Sequence, residues 1–197
     1  HALEANWNVN ANPVSDTHAV AAARNVLRTL PALMADLANP ALRARMSLAA
    51  AQAGLAFSNT KTALAHSISY DMTLRHGLPH GIACSFTLPM VLERARGRDP
   101  ARDAVLAEVF DGDLANAPAR LRALLESVGV ATDFKAYGVD AADSSRMVAQ
   151  ALEGVHAAGL MHKDIKPANV LVDQALEQVL LEDFCIASRL TPEATAP

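Results

Sequence analysis

His66 and His80 stand fourteen residues apart, with Gly77 and Pro79 between them to break a helix, so two imidazoles can come back toward one another. Imidazole nitrogen suits first-row transition metals, and two histidines helped by a carboxylate from elsewhere would make a divalent-metal site. On spacing alone a second reading stands beside this one. Each histidine could instead be a hydrogen-bonded or solvent-facing residue with no metal at all.

The elements that must position this pair are helices. After a polar opening (Asn6, Asn8, Asn10, Asn12, Pro13), Ser15 or Asp16 can cap a helix with Ala19, Ala23, Val26, Leu27 and Leu30 at helical spacing, bent or ended by Pro31. Asn39-Pro40 starts a second helix through Leu42, Met46, Ala49, Ala50 and Ala53 to about Ser58. The pattern predicts a third helix over 59–76 and a fourth over 81–96, interrupted by Pro89, with 94–103 as surface loop. Further helices are expected over 117–128, stopped by Gly129, and over 141–152. Past Gly154, Val170-Leu171-Val172 and Val179-Leu180-Leu181 are of strand type and predict a small hairpin. The expected fold class is therefore mainly α, with a short β-containing tail.

Composition agrees. Of 197 residues, 51% are apolar, and Ala and Leu outweigh the β-branched and aromatic types, which favours helix. The net charge of −4 comes without a basic block, so neither nucleic acid nor an anionic membrane is an expected partner. Two cysteines, Cys84 and Cys185, are far apart without a C-x-x-C spacing, so neither a disulfide framework nor a cysteine-based zinc site is expected, and the expected compartment is the cytoplasm. The stretch from His76 to Leu92 is too short and too broken by proline to span a bilayer. The first residues, His-Ala-Leu-Glu, do not have the character of a signal peptide and read as the middle of something longer.

The text Gly54-Leu55-Ala56-Phe57-Ser58-Asn59, then Ala63-Leu64-Ala65-His66, then Leu78-Pro79-His80-Gly81 and Leu88-Pro89 resembles the signature region of iron-containing alcohol dehydrogenases. The resemblance implies the helical, metal-binding C-terminal domain of that family over residues 1–154. It implies a divalent iron, or zinc, held by one Asp and three His. His66 and His80 fall on two of those positions, and His1 on the third, because His1-Ala2-Leu3-Glu4 matches the latter half of the family's D-x-x-x-H-A-[IL]-E segment; the Asp is then expected just before residue 1. The metal would polarise an alcohol or carbonyl oxygen for hydride exchange with NAD(P). No Gly-rich turn follows a strand here, so the cofactor is expected on an N-terminal α/β domain outside this chain. An apolar face left without that domain would favour self-association.

Where many relatives carry a proton-relaying His four residues after the one matching His66, this chain has Tyr70, with His76 as an alternative relay. The run from Asn59 to Tyr70 resembles the branch that reduces phosphonoacetaldehyde. That implies substrate contacts from Phe57, Asn59 and Lys61, the last facing an anionic phosphonate unless it is simply a solvated lysine.

Residues 155–197 resemble something else. His162-Lys163-Asp164-Ile165-Lys166-Pro167-Ala168-Asn169 and Asp183-Phe184-Cys185 are similar to the catalytic loop and D-F-G of protein kinases. The resemblance would make Asp164 the base, with Lys166, Asn169 and Asp183 at the ATP and magnesium positions. Cys185 departs from the family's Gly, and no Gly-rich loop or strand Lys precedes it. The expectation is therefore a fused or misjoined segment without phosphotransfer. Three readings follow: an oxidoreductase fragment acting on a small alcohol or aldehyde, an inactive kinase-related fragment, and a helical module without catalysis.

Overall fold

Asn12 opens the first long helix. Its Oδ1 accepts hydrogen bonds from Val14 N and Ser15 N, both at 3.1 Å, while Ser15 Oγ accepts from Asn12 N at 2.9 Å. With Pro13 at the first helical position, this reciprocal cap places the start three or four residues before the expected Ser15 or Asp16, and Ser15 becomes part of the box. The computed structural model describes residues 1–157 and short strands at 160–161, 170–173, 178–181 and 188–189, with side chains described through residue 153.

The helices in chain order are α1 (Ala2–Asn6), α2 (Pro13–Ala35), α3 (Pro40–Asn59), α4 (Leu64–His76), α5 (His80–Ser85), α6 (Leu88–Ala95), α7 (Pro100–Val109), α8 (Ala117–Ser127) and α9 (Ala141–Ala157). Several boundaries differ from those the pattern predicts. The polar opening contains α1, a helix of five residues whose Leu3, Glu4, Ala5 and Asn6 are all buried. Pro31 does not end α2, which continues to Ala35 and closes with Asp36 N–H donating to the carbonyls of Ala32 and Leu33. Asn59 is the last residue of α3, and the third helix begins only at Leu64.

The expected helix over 81–96 is two. Pro89 lies in the first turn of α6, where its missing N–H would have had no intrahelical partner. The expected loop over 94–103 contains the opening turn of α7, because Asp99 Oδ1 accepts from Ala101 N and Arg102 N at 2.8 and 3.3 Å and Pro100 follows it. Such a cap is worth about 1 kcal/mol.

The core is built where the helices cross. Phe86, Phe110, Ile68, Met72, Leu92, Leu106 and Met147 are almost fully buried in one cluster. Phe86 meets Phe134 and Tyr137 edge-on at ring distances of 5.0 and 5.1 Å. The helices α2 and α3 pack along one another, and α1 wedges against both. Arg102 ties α7 to this layer through Asp16, with its Nη1 at 2.8 and 2.9 Å from the two carboxylate oxygens. Among the described residues, no helix is long and apolar enough to cross a membrane.

Past α9, β2 (Val170–Asp173) pairs antiparallel with β3 (Gln178–Leu181), Val170 opposite Leu181, as the strand-type runs predict. The two-residue strands β1 (Leu160–Met161) and β4 (Ser188–Arg189) form a second antiparallel pair.

Candidate metal centre

The first turn of α4 has buried N–H donors without an intrahelical partner and no cap of its own: Ala63 offers no side-chain hydrogen bond. The acceptor comes from α1 instead. Glu4, fully buried, takes a hydrogen bond from Ala65 N at 2.7 Å and from His66 N at 3.4 Å through Oε1. A carboxylate at a helix N-terminus satisfies orphan N–H groups and complements the helix dipole. The other oxygen, Oε2, takes Nδ1 of the His66 ring in a short contact. One side chain thus caps the helix and fixes the imidazole that the helix carries.

In the neutral His66 ring that a metal would require, Nδ1–H is donated to Glu4 and the lone pair is on Nε2, which points away from the carboxylate. It lies 3.2 Å from Nε2 of His1. Phe57 of α3 stacks on the His1 ring at 4.4 Å, holding it from the other side. The His80 ring stands edge-on to that of His66 at 5.7 Å. Gly77 accounts for its return: it ends α4 at a left-handed φ of 68°, with its N–H on Thr73 O and that of Leu78 on Met72 O. After this reversal Pro79 leads into α5, and His80 is its first residue.

Cys84, one helical turn after His80 on the same face of α5, adds a fourth donor that the spacing argument overlooked. Its Sγ is 3.6 and 3.5 Å from Nδ1 and Nε2 of His80. Ligand atoms of His66, His80 and Cys84 all lie within 4.8 Å of one another. Burial by itself pushes the His66 pKa down. Hydrogen bonding to Cys84 and to Glu4, with the charge of both, outweighs it and raises the value to about 9. The donor set, imidazole nitrogens and a thiol with a carboxylate behind one ring, fits a divalent transition metal: an outer carboxylate that fixes tautomer and orientation is the usual support of a metal-ligating histidine.

Comparison with known proteins agrees with this chemistry. Residues 1–177 match the model of the Fe-containing alcohol dehydrogenase family, C-terminal. This chain belongs to the iron-containing alcohol dehydrogenase family. Among its relatives in the family, the sulfoacetaldehyde reductase of Bilophila wadsworthia is 29% identical over 154 residues, which cover 73% of this chain and 40% of that protein. The phosphonoacetaldehyde reductase of Streptomyces viridochromogenes is 30% identical over 151 residues, 70% of this chain and 38% of the relative. A crystal structure of a 1,3-propanediol oxidoreductase superposes with a TM-score of 0.71 at 30% identity, covering 78% of this chain and 42% of that one. The chain thus spans about two fifths of the length of these family members.

Of the residues singled out in the sequence, the fold brings His1, His66, His80 and Phe57 together. Tyr70 is one turn beyond His66 on α4 and 60% exposed, while His76 is half-buried in the last turn of that helix. The Asn59 amide turns back to donate to Leu55 O at 2.8 Å, within its own helix. Lys61 is exposed in the loop between α3 and α4, at a φ of 133° that few non-glycine residues adopt. Asn8 and Asn10 donate to the carbonyls of Thr62 and Thr60 at 3.1 and 3.2 Å, bracketing that residue. Asp164, Lys166, Asn169 and Asp183 lie outside the described residues.

Two contributors were not assigned roles from the sequence. Glu4 was visible only as the last letter of a motif. Cys84 had a signal, its i, i+4 spacing from His80, but a search for paired cysteines passes over it.

Proposed function

We propose that His1, His66 and His80 hold a divalent iron or zinc ion, and that the chain is the metal-binding part of an alcohol dehydrogenase or aldehyde reductase. The observation that carries this reading is the convergence of imidazole nitrogens beside the first turn of α4 with Glu4 fixed behind His66. A divalent ion bound there supplies Lewis-acid polarisation of an alcohol or carbonyl oxygen for hydride exchange with NAD(P). Within this chain, Glu4 keeps the Nε2 lone pair of His66 aimed at the site, and Phe57 limits the tilt of His1. Tyr70 is the proposed proton relay to solvent, supported by its exposure and its place one turn from His66, with His76 as the alternative.

For the substrate we propose a small anionic aldehyde of the phosphonoacetaldehyde type. Relatives named for phosphonoacetaldehyde and sulfoacetaldehyde both act on a short aldehyde carrying an acidic head. Lys61 supplies a cation in a loop pinned on both sides by asparagines, and a strained backbone held in place beside a site is a common mark of function. Phe57 and Asn59 complete the proposed substrate wall. The division at residue 154 between this helical unit and a segment with kinase-like text is likewise our reading, resting on the motifs alone. Self-association is proposed through exposed apolar residues such as Leu48, Leu55 and Leu74.

The test is the metal content and affinity of the anaerobically purified chain after addition of ferrous iron or zinc, with a His66→Ala, His80→Ala double variant alongside. Stoichiometric binding that disappears in the variant is expected. Equal binding by the two proteins would leave a helical module without a metal site.

A further inference from the structure

Cys84 is buried, and the ligand set proposed above, His1, His66 and His80, leaves it out. A buried free cysteine is ordinarily a small apolar core residue. Its surroundings here are of another kind. The sulfur is within 3.6 Å of both ring nitrogens of His80, and it belongs to a trio with His66 whose donor atoms span no more than 4.8 Å. The side chain of His66 is only 5% exposed, yet its Nε2 is aimed at this space, with Nδ1 already committed to Glu4.

The distances can be set against a coordination sphere. Zinc–sulfur and zinc–imidazole bonds of about 2.3 and 2.0–2.1 Å at tetrahedral angles put S and N about 3.6 Å apart and two nitrogens about 3.3 Å apart. Cys84 Sγ and His80 Nε2 are 3.5 Å apart, and the Nε2 atoms of His1 and His66 are 3.2 Å apart. Backbone placement agrees, since His80 and Cys84 share one face of α5 a single turn apart. His80 is exposed, which leaves its ring room to turn either nitrogen inward.

We propose that Cys84 is a direct thiolate ligand of the ion held by His66 and His80, and that this soft donor biases the site of this chain toward zinc over ferrous iron. The inference rests on the metal-binding reading above and adds a ligand to it. On binding, the thiol gives up its proton to solvent and the sulfur takes its place in the coordination sphere; no electron is transferred.

The experiment loads the anaerobically purified chain with cobalt(II), a spectroscopic substitute for zinc, and records the visible ligand-field bands together with the near-ultraviolet thiolate-to-cobalt charge-transfer band. Cys84→Ser and Cys185→Ser variants are measured in parallel. Expected are both sets of bands in the unaltered chain and in Cys185→Ser, with loss of the charge-transfer band alone in Cys84→Ser. Chelator competition should then show zinc affinity lowered at least about tenfold in Cys84→Ser, with a smaller change for ferrous iron, a loss no less than that of an outer-shell partner. Ligand-field bands without charge transfer in the unaltered chain would remove Cys84 from the sphere while leaving the histidine site standing. A charge-transfer band that survives Cys84→Ser, or vanishes in Cys185→Ser, would assign the thiolate elsewhere and overturn the proposal. Absence of any cobalt bands in the unaltered chain would overturn both readings. Should Cys84→Ser fail to fold, the bands of the unaltered chain and of Cys185→Ser still decide it.

Discussion

The two arms of the candidate centre are built on opposite principles. His66 sits in the first turn of a thirteen-residue helix, 4% exposed, with its ring nitrogen and its backbone N–H both held by Glu4. His80 begins a helix of six residues, is exposed, and has a neighbouring thiol as its hydrogen-bonding partner. The first arm is fixed before any ion arrives. The second is set by the course of the chain through Gly77 and Pro79 and can adjust. A site with one rigid and one adaptable arm keeps its position in the fold while accommodating ions of differing geometry.

The sharpest way to break this contrast is Glu4→Gln. It keeps the shape but leaves an amide, which cannot accept from Ala65 N and pair with the ring in the same manner. Metal affinity should fall about 10–100-fold, the usual effect of removing an outer-shell partner. Thermal stability should fall as well, by about 1–3 kcal/mol, because a buried N–H of α4 loses a good acceptor. Isothermal titration and thermal melting measure the two effects. An unchanged affinity would mean that the first arm needs no fixing.

A smaller effect is expected from pH in the metal-stripped chain. The His66 pKa, raised to about 9 in the folded state, exceeds the unfolded value of about 6.5. The folded state therefore holds the proton more tightly. The resulting stabilisation is fully present below about pH 6.5 and is lost as pH rises through about 9. Melting temperature should decline across that window in the unaltered chain and decline less in Glu4→Gln. A flat profile would show that the ring is not charged in the absence of metal.

The smallest expected effect tests the second arm. Gly77→Ala places a Cβ where φ is 68°, with no heavy atom within 4 Å to clash, so the cost is backbone strain alone, about 1–2 kcal/mol. Melting should drop by a few degrees. Metal affinity should change less than in Glu4→Gln, since an adaptable arm absorbs a small shift; an equal or larger loss would make the turn as decisive as the carboxylate.

The fold was legible wherever local chemistry decides it. Asn39-Pro40 marks the start of α3 as the pattern predicts, and Gly77 and Pro79 mark the end of α4. The differences arise where tertiary contacts overrule local signals. Of the two expectations at Pro31, a bend or an end, the end ignores a helix that packs along α3 and loses only one bond there, and the expected polar opening ignores that Leu3 and Trp7 reach the core. Asn8 and Asn10 look like loop residues in a linear reading because their partners, Thr62 and Thr60, lie 54 and 50 residues away.

Residue type and spacing alone determined that this chain is mainly helical, that His66 and His80 flank a helix break, and that the histidine-bearing text resembles the iron-containing alcohol dehydrogenases, to which the chain belongs. Only the tertiary structure decided what stands around those histidines. Glu4 and His66 are 62 positions apart in the chain, and no periodicity predicts that a carboxylate on one short helix will cap another and hold its imidazole. Caps and helix breaks act over a few residues and leave their mark in the sequence. A ligand's orientation depends on contacts between distant segments, which exist only once the helices have packed.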